Sequence, residues 1–455
     1  MPENNTIDFD RALAAAEFVC PACRDSNLKA RVLRVDAMSL YRCGQCASLI
    51  YDPFPSIDYT AHTSPLGIRN YVEMSASIDT VARNILRVVP DGSIGRILDI
   101  GCGFGFALDA VRTIAGWEAM GFEPSQYGGS GRDQLGLDII RDFAPLNPNP
   151  HCLYNVVHCS EVIEHIHDPA AFLAILTSYL SEDGVIVLTT PNPERINPTT
   201  ARSTLLALLS PGAHTILFSD EALTRLFEEA GLTFVAVDKS ADSTLFYASR
   251  RPIEFQTAEG WQGKILFYLK AALSRAQPGS SLAVGLRYRL FRAAIDHGMY
   301  EIAEQSFDPI LADARPRVDD ISSLTQFAGR WPLCIAASTY YRGMLLLIHR
   351  GDYMDAAEHL HAAHLLCAKK IEIDPATAGV EADLVWRAKY HEALSLENSG
   401  QHRKAMSALD AIDGRRLAEV PQDLEAGIAE LRKTIEASQP VLNAASASFF
   451  RNLHN

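Results

Sequence analysis

Between residues 70 and 250, short apolar runs alternate with helical stretches, and this alternation limits the fold more than any other feature of the chain. The runs are "RILDI", "EAMGFE", "LDII", "NVVHCS", "GVIVLTT" and "FVAVDKS". Each is short enough for a strand, and helical text separates them. Strands that alternate with helices build parallel sheets covered on both faces, so an α/β, doubly wound sheet is predicted here.

The text on either side is of a different kind. Residues 1–55 are punctuated by cysteines and end in "YDPFP", where two prolines close a unit. After about 252 the strand runs stop and the period becomes helical. Three domains are therefore expected in the 455 residues: a small cysteine module over 1–55, the α/β domain over 56–251 and an α-helical domain over 252–455. The helical part repeats loosely. "GMYEIA" starts at Gly298, "GDYMDA" at Gly351 and "GQHRKA" at Gly400, offsets of 53 and 49 residues. A Gly between two helical patterns ends a helix, and the Ala lets the next one pack closely. The pattern resembles tetratricopeptide-like hairpins at a longer spacing; an ordinary helical bundle with similar turns is the other reading.

The formal net charge of −14 disfavours the whole molecule as a polyanion binder, although a local basic patch stays open. "MPENNTIDFD" lacks the basic start and apolar run of a secretory leader, and no window holds 18 apolar residues. A cytoplasmic chain without a membrane span is the expectation.

The clearest chemistry lies in "ILDIGCGFGFAL", residues 97–108. A buried strand runs into Gly101, Gly103 and Gly105, and then a helix begins. A glycine-rich strand-to-helix turn permits close approach to the backbone and offers N–H groups to the polar end of a ligand. The dinucleotide fingerprint G-x-G-x-x-G/A fails at Phe106. The spacing instead is D-x-G-x-G-x-G, from Asp99 to Gly105, which resembles the first motif of class I S-adenosylmethionine-dependent methyltransferases. Downstream text keeps that family's order over roughly residues 70–250.

The resemblance implies a Rossmann-like methyltransferase sheet and a role for each matching residue. Gly101, Gly103 and Gly105 would surround the amino-acid end of S-adenosylmethionine. Asp99 would act there directly or through water. Glu123, at the end of the second strand, would accept hydrogen bonds from the ribose hydroxyls. Asp142 and Phe143, at the end of the third strand, would meet the adenine. Ser160 would face the site from the fourth strand.

A base is useful where the acceptor loses a proton near the transition state. Glu161 and His165 in "SEVIEHIHDP", and His214 in "HTILFS", are the candidates, with Glu164 and His167 nearby. Packing inside the domain is the competing role for Glu164 and His165, and a surface loop position for His167. The loop "HCSE" is not the N/D-P-P-aromatic motif of adenine amino methylation. Cys159 has no preceding Pro or Thr, which disfavours pyrimidine carbon methylation. Cys102, Cys152, Cys159, Cys334 and Cys367 read as buried or incidental thiols.

Cys20 and Cys23 in "CPAC", and Cys43 and Cys46 in "CGQC", form CxxC-x19-CxxC. Four thiolates suit a closed tetrahedral Zn(2+) site, so a structural zinc ribbon is expected, with an iron site or a redox pair as the lesser readings. A ribbon ahead of such a domain resembles bacterial sugar and natural-product methyltransferases, and also certain ribosomal RNA methyltransferases. Arg24, Lys29, Arg31, Arg34 and Arg42 outnumber Asp25 and Asp36 in the ribbon and could meet phosphate or be a solvated face.

Methyl transfer to a small-molecule or glycan-precursor acceptor, at oxygen, nitrogen or carbon, is the leading expectation. The helical region would dock a partner or form a homodimer; nucleic acid and membrane are not expected partners. An RNA methyltransferase gripping phosphate with its ribbon is the second reading. A helical interaction protein with a vestigial enzyme fold is the third.

Overall fold

The apolar runs of the middle segment form one sheet in the computed structural model. It describes residues 7–9, 15–27, 29–61, 63–74, 78–147, 149, 151–200, 202–239, 242–257, 259–307, 315–412 and 417–438. Five small N-terminal strands come first in the chain: β1 (Ile7–Phe9), β2 (Ala15–Ala16), β3 (Lys29–Val35), β4 (Met38–Arg42) and β5 (Leu49–Asp52). Helices α1 (Pro65–Met74) and α2 (Ile78–Leu86) follow.

The α/β alternation is β6 (Arg96–Ile100), α3 (Phe106–Ala115), β7 (Glu118–Phe122), α4 (Gln126–Leu135), β8 (Asp138–Ile140), β9 (Tyr154–Ser160), α5 (Pro169–Ser178) and β10 (Leu180–Pro191). It closes with α6 (Arg202–Leu209), β11 (Ile216–Leu217), α7 (Asp220–Glu229), β12 (Phe234–Asp238) and β13 (Ser243–Ser249).

The seven-stranded sheet has the order β12-β13-β10-β9-β6-β7-β8. Strands β10, β9, β6, β7 and β8 are parallel, and β13 runs antiparallel between β10 and β12. Successive residues feed opposite faces. Leu98, Val157, Ile186 and Phe246 pack on one side with α5 and α7, whereas Ile97, Val156, Val187 and Tyr247 pack on the other with α2 and α3. Burial on both faces explains why the runs are continuously apolar rather than alternating.

Two readings of this region need correction. The third strand stops at Ile140, so Asp142 and Phe143 lie in the loop beyond it rather than on its end. A seventh strand, β13, went unread because "STLFYAS" follows "FVAVDKS" so closely that the two merge in the text.

The N-terminal strands do not stand apart. Their sheet, in the order β1-β3-β4-β5-β11, recruits Ile216–Leu217 from the α/β segment, antiparallel to β5. Leu33, Val35, Leu40, Leu49 and Tyr51 share a core with Ile196, Leu205, Leu208, Leu209 and Leu217.

The described residues fall into two compact units: those within 1–68 and 76–276, and those within 69–75 and 277–455. Helix α8 (Trp261–Arg275) stays with the first unit because Arg275 bonds the buried Asp109 of α3 at 2.9 Å.

The second unit is α-helical: α9 (Ser281–Asp296), α10 (Tyr300–Ser306), α11 (Leu324–Arg330), α12 (Ile335–Leu345), α13 (Tyr353–Ile373), α14 (Gly379–Asn398), α15 (His402–Asp410) and α16 (Gln422–Ser438). Gly298, Gly351 and Gly400 all take left-handed backbone at helix ends. Ala303, Ala356 and Ala405, five residues on in each case, are fully buried. Glu73, buried in this unit, accepts bonds from Arg69 and from the Leu333 N–H.

Candidate active site

The glycine turn leaves β6 and enters α3. Gly101, Gly103 and Gly105 all have positive φ, at 78°, 54° and 87°. A Cβ on Gly101 would lie 2.5 Å from Val162 Cγ2, and one on Gly105 would lie 2.7 Å from Leu137 Cδ1. Bare backbone here serves the turn and the close packing of neighbouring elements.

Four amides of the turn are already bonded within the protein, where donors held open for a ligand were expected. Gly101 and Cys102 N–H donate to the Phe122 carbonyl, and Gly105 N–H to the Cys102 carbonyl. Gly103 N–H donates to Glu123 Oε2 at 2.9 Å, and Ser125 N–H donates to Glu123 Oε1 at 2.9 Å. These two donors fix the Glu123 carboxylate at the mouth of the turn. Each oxygen keeps a further lone pair, which is what recognition of a vicinal diol requires.

Helix α4 presses on the same turn. A Cβ at Gly131 would sit 1.9 Å from the Phe104 carbonyl oxygen, and one at Gly128 would sit 2.7 Å from Glu123 Cβ. Neither glycine was read as part of the site; their spacing of three, on the face of a helix that directly follows Glu123, was the available signal. Past β8, Asp142 Oδ1 accepts the Phe143 N–H, and both side chains are exposed. Asp99 is buried beneath the turn and bonds His158 Nδ1 at 2.8 Å, so it props the turn from behind. His158 was not singled out, since one polar residue inside "NVVHCS" leaves no periodic trace.

The acceptor-side candidates gather where β9 and β10 end. Ser160 shares a 2.7 Å hydrogen bond with Thr189. Glu161 has left-handed backbone, φ 54°, and its N–H donates to the Thr189 carbonyl. Its side chain is open to solvent, yet the protein packed around the carboxyl strips water from it and raises its pKa, against hydrogen bonds from Thr189 and Ser243.

Glu164 and His165 lie on a short turn after β9, and His214 lies just before β11. His165 Nδ1 donates to the Ala213 carbonyl at 2.9 Å, and His214 Nδ1 to the Leu208 carbonyl at 2.9 Å. A carbonyl can only accept, so both Nε2 atoms carry lone pairs. Burial holds both imidazoles neutral, and His214 is lowered to about 4. Glu164 is fully buried, with Oε2 accepting from Thr190 Oγ1 at 3.0 Å. Burial, with the nearby Glu161 charge, drives its carboxyl well up. His167, by contrast, reaches the Pro55 carbonyl at 3.1 Å and lies outside this group.

The four cysteines also converge. Cys20 and Cys46 sulfurs are 3.7 Å apart, and Cys23 and Cys43 sulfurs 3.6 Å. Tetrahedral S4 ligation with bonds of about 2.3 Å needs sulfurs about 3.8 Å apart, so the set fits such an ion. The two CxxC turns match: Arg24 N–H returns to the Cys20 carbonyl at 2.8 Å, and Ala47 N–H to the Cys43 carbonyl at 2.9 Å. Arg24 and Ala47 take the left-handed conformation, so the second turn depends on Ala47 rather than on Gly44.

Of the basic residues of this module, Lys29 is fully buried and bonds Asp25 Oδ2 at 2.7 Å, whereas Arg24, Arg34 and Arg42 are exposed, Arg42 donating to the Ala47 carbonyl. Of the other thiols, Cys102, Cys159, Cys334 and Cys367 are buried and Cys152 is partly so.

Residues 74–237 match the family model of a methyltransferase domain. The chain is 26% identical over 170 residues to a ubiquinone biosynthesis O-methyltransferase of Actinobacillus pleuropneumoniae, covering 35% of this chain and 66% of that protein. It is 29% identical over 104 residues to a protein of the same name from Yersinia enterocolitica, covering 21% and 43%. The chain thus spans two thirds or less of the curated relatives it matches. Among solved structures, magnesium protoporphyrin IX methyltransferase from Synechocystis aligns with 17% identity and a TM-score of 0.30, over 42% of this chain and 90% of that one. No described helix is long and apolar enough to cross a membrane.

Proposed function

We propose, for a chain whose residues 74–237 carry a methyltransferase domain, that it moves a methyl group from S-adenosylmethionine to the oxygen of a small-molecule acceptor. The single observation that carries this reading is the Glu123 carboxylate pinned by the Gly103 and Ser125 amides at the mouth of the glycine turn. Oxygen is favoured as acceptor by the O-methyltransferases among the chain's relatives.

S-adenosylmethionine, when bound, supplies a methyl already activated by its sulfonium. The protein must hold that group, align the acceptor and keep water out. Glu123 accepts from the ribose hydroxyls. Asp142 and Phe143 serve the adenine end, and Ser160 sits at the carboxyl end of β9 beside the reacting groups. Glu161 is the base: it is the most exposed of the three candidates, and its raised pKa suits it to take a hydroxyl proton. His165 and His214 point their free lone pairs inward, toward Glu164.

Cys20, Cys23, Cys43 and Cys46 hold a structural zinc, a reading supported by the matched turns and the sulfur separations. The RNA reading is not favoured, because the formal net charge is −14 and Lys29 is buried inside the module.

Calorimetric titration with S-adenosylhomocysteine tests the proposal. Glu123→Gln puts an amide N–H against a backbone N–H and should weaken binding roughly 10- to 100-fold, about 1.4–2.8 kcal/mol. Unchanged affinity in the folded variant, or no uptake by the parent chain, overturns the assignment.

A further inference from the structure

Glu164, His165 and His214 present one carboxylate oxygen and two ring nitrogens to a common point deep in the first unit, with all three atoms within 4.8 Å of one another. Glu164 Oε1 is 4.0 Å from His165 Nε2 and 3.9 Å from His214 Nε2, too far for a hydrogen bond to either. No donor among the described residues reaches it and it has no contact with solvent, although the Glu161 carboxyl lies beside the same side chain. A fully buried carboxylate oxygen left in this state calls for an explanation, and an ion is one of the few available.

We propose that these three residues bind a divalent first-row transition-metal ion. Around an ion with bonds of about 2.1 Å, two ligand atoms lie between about 3.0 Å apart (at a right angle) and about 4.2 Å (across the ion). Both observed separations fall inside that range. Each histidine is already oriented as a ligand. Its Nδ1–H is consumed by a backbone carbonyl, which fixes the tautomer and aims the Nε2 lone pair inward.

The two chain segments are stitched together beside the site. Thr215 N–H donates to the Glu164 carbonyl at 2.7 Å, so the positions of the ligands do not depend on the ion alone. The Tyr59 ring packs edge-on against His165, with centroids 5.6 Å apart, and Glu161 lies next to Glu164. Two imidazoles with one carboxylate suit manganese, iron, cobalt or zinc better than calcium, which prefers oxygen alone. The inference stands on the three ligand atoms and does not depend on the methyl donor. Where the proposed transfer holds as well, an acceptor hydroxyl reaching the ion would be acidified next to Glu161.

The full chain, dialysed against chelator, would be titrated with Mn(II) and followed by loss of the free-ion electron paramagnetic resonance signal. Mn(II) competes poorly for thiolates, so the cysteine cluster does not contribute. One ion should bind per chain. His214→Asn and Glu164→Gln should each weaken binding by roughly tenfold or more. His165→Asn, at a more exposed position, provides the same reading should the buried variants fail to unfold cooperatively. Cys43→Ser should leave the stoichiometry unchanged. Two results overturn the site: no Mn(II) uptake by cooperatively folded parent protein, or uptake that persists with unchanged affinity in the folded histidine variants.

Discussion

Asp99 and His158 form a buried pair, Oδ1 to Nδ1 at 2.8 Å, that ties the end of β6 to β9 just before the glycine turn. Removing one partner leaves the other buried without its bond. Asp99→Ala or His158→Leu should therefore lower stability by about 2–3 kcal/mol. Denaturant midpoints would report this. The double variant should cost less than the sum of the two, since the bond can be lost only once.

Gly129 and Gly131, both on α4, should respond in opposite ways to an added methyl group. A Cβ at Gly131 meets the Phe104 carbonyl oxygen at 1.9 Å, whereas one at Gly129 finds only Arg141 Cδ, at 3.8 Å. Gly131→Ala should displace the glycine turn, lowering both the thermal midpoint and the affinity for S-adenosylhomocysteine. Gly129→Ala should be neutral or stabilising by up to about 1 kcal/mol, from helix propensity. Equal effects in calorimetry and thermal melts would contradict the packing described here.

Elemental analysis should find zinc in the chain, one ion of it lost when the four-cysteine set is broken. Cys43→Ser, or prolonged chelation, should release it and lower the stability of the first unit by several kcal/mol, on the order of 3. The unit should not unfold outright, because Leu33, Leu40 and Tyr51 still pack against Leu205, Leu209 and Leu217. Hydrogen exchange would place the loss of protection at the two CxxC turns.

The second unit should lose stability in mild acid. Burial lowers His364 and His391 from an ordinary 6.5 to about 4. Between those values the unfolded chain binds protons that the folded chain refuses. The stabilisation is complete above about pH 6.5 and is lost as pH falls toward 4, on the order of 2 kcal/mol per histidine at pH 5. Urea midpoints at pH 7 and pH 5 would show it, and His391→Gln should flatten the slope.

Much of the fold was legible because burial on both sheet faces leaves a plain mark. "RILDI" and "GVIVLTT" can be little else between helical stretches. The cysteine spacing was equally plain, since two turns of fixed length must bring four sulfurs together. The site was legible where a residue sits at a strand's end. Glu123 was singled out that way, as a candidate, whereas His158, inside a strand, and Gly128 and Gly131, on a helix of weak pattern, were not. The pairing of Ile216–Leu217 with β5 was hidden because a two-residue strand carries no period, and the N-terminal module therefore read as separate.

Local chemistry written in the chain determined the strand and helix order, the left-handed turn after Asp99 and the two cysteine knuckles, each set by neighbours within a few residues. The tertiary structure alone decided what the acids and histidines do. Asp99 turned inward to His158, and His214 crossed some fifty positions of sequence to face Glu164. Those pairings follow from packing between elements distant in sequence, and no local period encodes a contact of that range.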